Sequence, residues 1–232
     1  MLNTFRCFGK LSVDANIDEL VPSVFSVFPV GEKAAGVFIC DVMGHGVRSA
    51  LITSMIRALV EEQAGVTTDP GELLTRVNHA LAEILRQART TMFATCFYLV
   101  ADVDNAELRF ANAGHPCAFR IRQGSPPAEK LQGNGRVGPA MGIFPSATYQ
   151  TATHPMAKGD FIMLFTDGLF EAEDQDGNAF SQQQLHAIVN EHAALPPEHF
   201  FTHVLDDIRR FSKREVFNDD VCVVGVEVRR TN

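Results

Sequence analysis

The amino-acid sequence predicts an α+β domain whose strands pair largely antiparallel. Three observations point there. Short runs rich in valine, phenylalanine and isoleucine recur between turn residues, as strands do. Two stretches between residues 47 and 87 carry apolar residues at three- and four-residue spacing, as helices packed on a sheet do. Several strand runs follow one another across short polar turns, a connection that antiparallel neighbours permit and parallel ones do not.

In chain order, residues 5–8 read as a short strand and 16–20 as a loop or helical turn. Residues 24–30 and 36–40 form a hairpin around Gly31-Glu32-Lys33, and its second strand ends at Asp41. Gly44-His45-Gly46 turns the chain into a helix reaching Glu61-Glu62, in which Val47, Leu51, Met55 and Leu59, with Ile52, Ile56 and Val60, are expected to face a sheet. Asp69, Pro70 and Glu72 supply an N-cap, a proline at the first helical position and a glutamate three after the cap, so a second helix runs to about Gln87. Its buried stripe is Leu73, Leu74, Val77, Leu81, Ile84 and Leu85. Strands at 92–103, 108–113 and 117–122 are expected as a meander, with His115-Pro116 at a hairpin tip. Glycine and proline across 123–142 predict an exposed loop. Strands follow at 149–154 and 161–165, helices at 181–191 and 198–211 around Pro196-Pro197, and a last strand at 221–228.

The 232 residues are 46% apolar and 21% charged, which describes an ordinary globular chain, and no repeat or convincing linker divides it. There is no signal-like apolar leader and no bilayer-length apolar run, so a cytoplasmic location without membrane insertion is the default expectation. The five cysteines are odd in number and mostly set in apolar runs, which reads as buried thiols without a disulfide framework or zinc site. A net charge of −8 without a basic patch disfavours nucleic acid as a partner.

Three aspartates share a position. Asp41 closes one apolar strand, Asp167 another, and Asp219 stands just before the last. Singly, each reads as a common turn residue meeting solvent. Together on one sheet edge they would repel one another unless cations lay between them, and oxygen-only donors suit Mg²⁺ or Mn²⁺. His199 and His203, at i and i+4 without a His-Glu-x-x-His pattern, read as solvated or capping residues. Glu171, Glu173, Asp174 and Asp176 read as a solvated acidic loop at the entrance to a site.

Asp41-Val-Met-Gly-His-Gly46, Met92-Phe93-Ala94-Thr95, Ala113-Gly114-His115-Pro116, Thr166-Asp167-Gly168-Leu-Phe-Glu171-Ala172 and Asp219-Asp220-Val221 occur in a telling order. That ordered set resembles the bacterial metal-dependent serine/threonine phosphatases of the PP2C superfamily, in the sporulation-phosphatase and stress-regulator branch. The resemblance implies a four-layer α-β-β-α sandwich over residues 21–232, with 1–20 as an N-terminal segment that connects to an upstream sensory or receiver module or is a natural start. It implies two Mn²⁺ or Mg²⁺ ions. Asp41 would bridge them, the backbone carbonyl of Val42 would bind one, and Asp167 and Asp219 would complete the other, with Gly44, His45, Gly168 and Asp220 in support. For His45, a turn or helix-start role is preferred over proton donation to the leaving group.

By the same resemblance, water activated by the metal would hydrolyse a phosphoserine or phosphothreonine on a regulatory protein of the anti-anti-sigma-factor kind. Homodimerisation is left open. One position departs from the pattern. Ser23 stands where the family carries an aspartate for the second metal, and a hydroxyl is a far poorer ligand than a carboxylate. The second ion is therefore expected to bind weakly. The alternative is a pseudophosphatase that binds a regulatory protein without efficient turnover. Cys222, where the family often has threonine, is expected to be a packing difference.

Overall fold

A computed structural model describes residues 5–12, 23–31, 33–122, 125–133, 137–214, 217 and 220–229. Its strands are β1 (Phe5–Ser12), β2 (Ser23–Val30), β3 (Ala34–Val42), β4 (Ala94–Asp102), β5 (Glu107–Ala113), β6 (Phe119–Arg122), β7 (Ser125–Lys130), β8 (Ala152–Pro155), β9 (Asp160–Phe165) and β10 (Val221–Val228). Its helices are α1 (Val47–Ala64), α2 (Pro70–Gln87), α3 (Gln182–His192) and α4 (Pro197–Ser212). Two antiparallel sheets result, ordered β2-β3-β4-β5-β8 and β1-β10-β9-β6-β7.

Side-chain alternation along the strands assigns each face to a layer. On β3, Phe38, Cys40 and Val42 pack under α1 and α2. Val37 and Ile39 point the other way, into a core shared with Ile162, Leu164, Cys222 and Val224 of the second sheet. The far face of that second sheet, through Met163, Phe165, Val221 and Val223, packs beneath α3 and α4 with Leu185, Phe200 and Val204. The layers are therefore α-β-β-α, as the family resemblance implies. Burial on both faces explains why β3 and β10 read as nearly continuous apolar runs.

The α2 start forms as expected: Asp69 accepts from the Glu72 amide at 2.8 Å and Pro70 is the first helical residue. At α3, Ser181 and Gln184 form a capping box. Asp160 is fully buried and is held by Arg122 at 2.8 Å. Among the described residues, no helix is long and apolar enough to cross a membrane.

Several expectations need correction. The meander does not form, because β6 leaves the sheet of β4 and β5 and pairs with β9 in the other. Gly114-His115-Pro116 is thus part of a crossover between sheets, and His115 is 4% exposed, not a hairpin tip. The expected loop at 123–142 contains β7 and buries Ala128, Leu131 and Met141. In α1 only Ile52, Ile56 and Val60 of the expected stripe are buried, whereas Val47, Leu51 and Met55 face solvent. Cys40, Cys96 and Cys222 are buried as expected, but Cys7 is exposed. The strand read at residues 5–8 extends to Ser12 and pairs with β10 along its whole length. The reading at 16–20 lies outside the described residues.

Candidate active site

Asp41 is the penultimate residue of β3, and its place in the alternation puts it on the face that looks toward the second sheet. It stands in a row across three strands, opposite Ser23 on β2 and Thr95 on β4. The Ser23 hydroxyl donates to its carboxylate at 2.8 Å. Ser23 itself is only 6% exposed, so this contact is sheltered. Ser23 thus serves here as a hydrogen-bond support for Asp41.

After Asp41 the chain must turn sharply and start a helix. Gly44 and Gly46 both adopt φ +85°, a conformation that side-chain-bearing residues rarely take. Gly46 occupies the N-cap of α1 with no side-chain cap, so the first helical amides are not satisfied by a neighbouring side chain. The Met43 amide donates to the Phe93 carbonyl at 2.9 Å, tying the turn to the segment before β4. His45 is exposed in this turn.

On the second sheet the candidate residues are held by backbone contacts. Asp167 opens a 3-10 turn, Asp167–Leu169, directly after β9 and is half-buried. Thr166 is fully buried beneath it; its hydroxyl donates to the Asp220 carbonyl at 3.3 Å and accepts from the Cys222 amide at 3.0 Å. A Cβ on Gly168 would lie 2.4 Å from the Asp220 carbonyl oxygen, so only glycine allows the two segments to close. Asp167 is therefore locked against the start of β10. Asp219 lies outside the described residues, one position before Asp220.

Electrostatics connects the two ends. Burial first, and then the negative charge of Asp41, push the Cys222 thiol up to about 12. Cys96 is also raised, first by burial, then by Cys40 and Asp41. The charge of Asp41 on β3 is therefore felt at Cys222 on β10. Cys222 is fully buried between the sheets, which fits a packing role. Asp41, the Val42 carbonyl and the Asp167 turn offer oxygen donors only, and these fit a hard divalent cation. Among the described residues, no group of three or more His, Cys, Asp and Glu is arranged to hold a metal.

Sequence reasoning missed one buried histidine. His115 Nδ1 lies 2.8 Å from the Thr95 hydroxyl, beside Asp41. Burial lowers its pKa to about 3, so the ring is neutral. The available signal was its place in an ordered motif together with Thr95, which a hairpin-tip reading set aside.

Residues 31–229 match the family described as Stage II sporulation protein E (SpoIIE). The chain belongs to this family. It is 24% identical over 197 residues to the phosphoserine phosphatase RsbU of Bacillus subtilis, a match covering 85% of this chain and 57% of RsbU. It therefore spans under two thirds of that relative's length. Among solved structures, the RsbU and RsbW domains of Rv1364c from Mycobacterium tuberculosis share the fold at TM-score 0.81 and 22% identity, over 99% of this chain and 61% of that one. RsbX in complex with magnesium shares it at TM-score 0.68 and 15% identity, over 97% and 96%. These likenesses establish a PP2C-type fold.

Proposed function

We propose that this SpoIIE-family chain is a metal-dependent protein phosphatase domain that hydrolyses phosphoserine or phosphothreonine on a regulatory protein of the anti-anti-sigma-factor kind. What supports it most is the position of Asp41 on the face of β3 that looks toward the second sheet, near enough to Cys222 of β10 to raise that thiol's pKa, while the Asp167 turn packs against the start of the same strand. The phosphoserine phosphatase name of RsbU and the magnesium of RsbX support the substrate class and the cation. A sensory or receiver module joined ahead of β1 belongs to the same proposal, as does a cytoplasmic setting.

Asp41, the Val42 carbonyl, Asp167 and Asp219 would hold Mn²⁺ or Mg²⁺. The ions, when bound, supply activation of water and neutralisation of the phosphoryl charge. The protein's own groups prepare that chemistry. Ser23 fixes the Asp41 carboxylate, Thr166 and Gly168 fix the Asp167 turn, and the uncapped amides of α1 are available to phosphoryl oxygens or their waters.

Ser23 favours a second, narrower reading: one ion held firmly and the other weakly, with slow turnover or a binding role. Mn²⁺-dependent release of phosphate from a phosphoserine peptide separates the two. Activity in the wild type that disappears in Asp41→Asn supports the phosphatase. Absence of turnover in the wild type, with appearance in Ser23→Asp, overturns it in favour of the binding module.

A further inference from the structure

His115 is a costly residue for its place. An imidazole buried with an unsatisfied nitrogen is destabilising compared with a leucine of similar volume, and only Nδ1 of this ring has a hydrogen-bond partner. Its backbone is clamped already: Asn112 accepts from the His115 amide at 2.8 Å and donates to the His115 carbonyl at 2.8 Å. That clamp fixes the turn without help from the side chain. The ring does something else.

Its Nδ1 meets the Thr95 hydroxyl at 2.8 Å, and Thr95 stands directly across from Asp41 in the β3–β4 register. With its single hydrogen on Nε2, the ring accepts from Thr95 at Nδ1. Nε2 approaches the Phe165 carbonyl without reaching hydrogen-bond geometry. Phe165 ends β9, two residues before Asp167. His115 and Phe165 both line a cavity of about 250 Å³, together with Phe119 and Phe170.

We propose that His115 is a positioning residue for the metal-binding edge, a strut between Thr95 beside Asp41 and the Phe165 carbonyl ahead of Asp167. It spans the two sheets and sets the distance between the two carboxylates that must share a cation. The proposal rests on the metal-site reading above and adds to it a residue that touches neither metal nor substrate. Removing the strut loosens that spacing, so metal affinity falls while the peptide surface is untouched.

The test is Mn²⁺ titration calorimetry on metal-free protein, with phosphopeptide kinetics alongside. For residues that orient metal ligands from outside, losses of about 10–100-fold in metal affinity are typical. His115→Ala should weaken Mn²⁺ binding by about tenfold and raise the Mn²⁺ needed for half-maximal activity equally, while the peptide KM at saturating Mn²⁺ stays within about twofold. Thr95→Val, a milder change that keeps the strand packed, should shift Mn²⁺ affinity in the same direction. The double variant should be no worse than His115→Ala alone, because both remove one strut. Mn²⁺ binding unchanged in both folded single variants overturns the proposal. If the wild type binds Mn²⁺ but turns over no phosphopeptide, the calorimetric arm still decides the role of His115 while the phosphatase reading falls.

Discussion

Asp41 and Asp167 are held in place by different means. At Asp41 the supports are side chains: Ser23 from one neighbouring strand and the Thr95–His115 pair on the other. At Asp167 they are backbone contacts, with the Asp220 carbonyl pressed against Gly168 and the Thr166 hydroxyl gripping both Asp220 and the Cys222 amide. The first arrangement can be tuned by substitution without moving the chain. The second cannot, because a change there displaces the backbone itself.

The carboxylates themselves give the largest effect. Asp41→Asn should lower Mn²⁺-dependent phosphopeptide hydrolysis beyond the roughly 10–100-fold that loss of an outer support costs, with the thermal midpoint of metal-free protein little changed or raised. A folded Asp41→Asn retaining wild-type turnover would remove Asp41 from the site. Next comes the backbone lock. Gly168→Ala puts a methyl group into a carbonyl 2.4 Å away, and forcing an extra group into packed structure typically costs about 1–3 kcal/mol. For a chain of this size that is a fall in Tm of several degrees, on the order of 2–4 °C per kcal/mol. A Gly168→Ala melt matching wild type would show the two segments to be less tightly joined than Thr166 and Asp220 indicate.

The unequal legibility of the two ends has the same physical root. Strand identity, cap residues and the aspartates at strand ends are local features, and α2 with its Asp69-Pro70-Glu72 start could be read from a few adjacent residues. The four-layer arrangement came from an ordered set of motifs, since periodicity alone does not say which sheet a strand joins. β6 illustrates this: residues 117–122 are strand-like in either topology, and only pairing with β9 decides. The α1 stripe misled for a related reason. Val47, Leu51 and Met55 keep helical spacing with Ile52 and Ile56, so the sequence carries more apolar residues than one buried face uses. His115 was hidden because the burial of a turn residue depends on the chain crossing between sheets.

His115 also gives the comparison a pH signature. Its pKa falls from 6.5 to about 3 on folding because burial disfavours the charged ring. Between those values the unfolded chain binds a proton that the folded one does not, so stability is lost as pH falls from about 6.5 toward 3, by about 1.4 kcal/mol per pH unit. Above 6.5 the group contributes no slope. Thermal melts at pH 7 and pH 5 should show this loss in the wild type and a smaller one in His115→Gln, which has nothing to titrate there. Equal losses would mean that the neighbouring carboxylates, not His115, dominate acid sensitivity.

The smallest effect belongs to Ser23, and it carries the most information about the metal. Ser23→Ala deletes one hydrogen bond to Asp41, worth about 0.5–1.5 kcal/mol, and leaves the Thr95 side of the row intact. Tm should fall by a few degrees, and Mn²⁺ binding should weaken less than in His115→Ala, because a hydroxyl on one strand orients a single carboxylate while the histidine spans two sheets. Ser23→Asp reverses the logic. It places a second carboxylate directly opposite Asp41, which destabilises the metal-free protein by like-charge repulsion and supplies a ligand once a cation enters. Metal-free Ser23→Asp should therefore melt below wild type, regain that loss on adding Mn²⁺, and bind a second ion more tightly in calorimetry. Should its Mn²⁺ stoichiometry and affinity match those of the wild type, Ser23 is not the position that limits the second ion, and the serine is only a prop for Asp41.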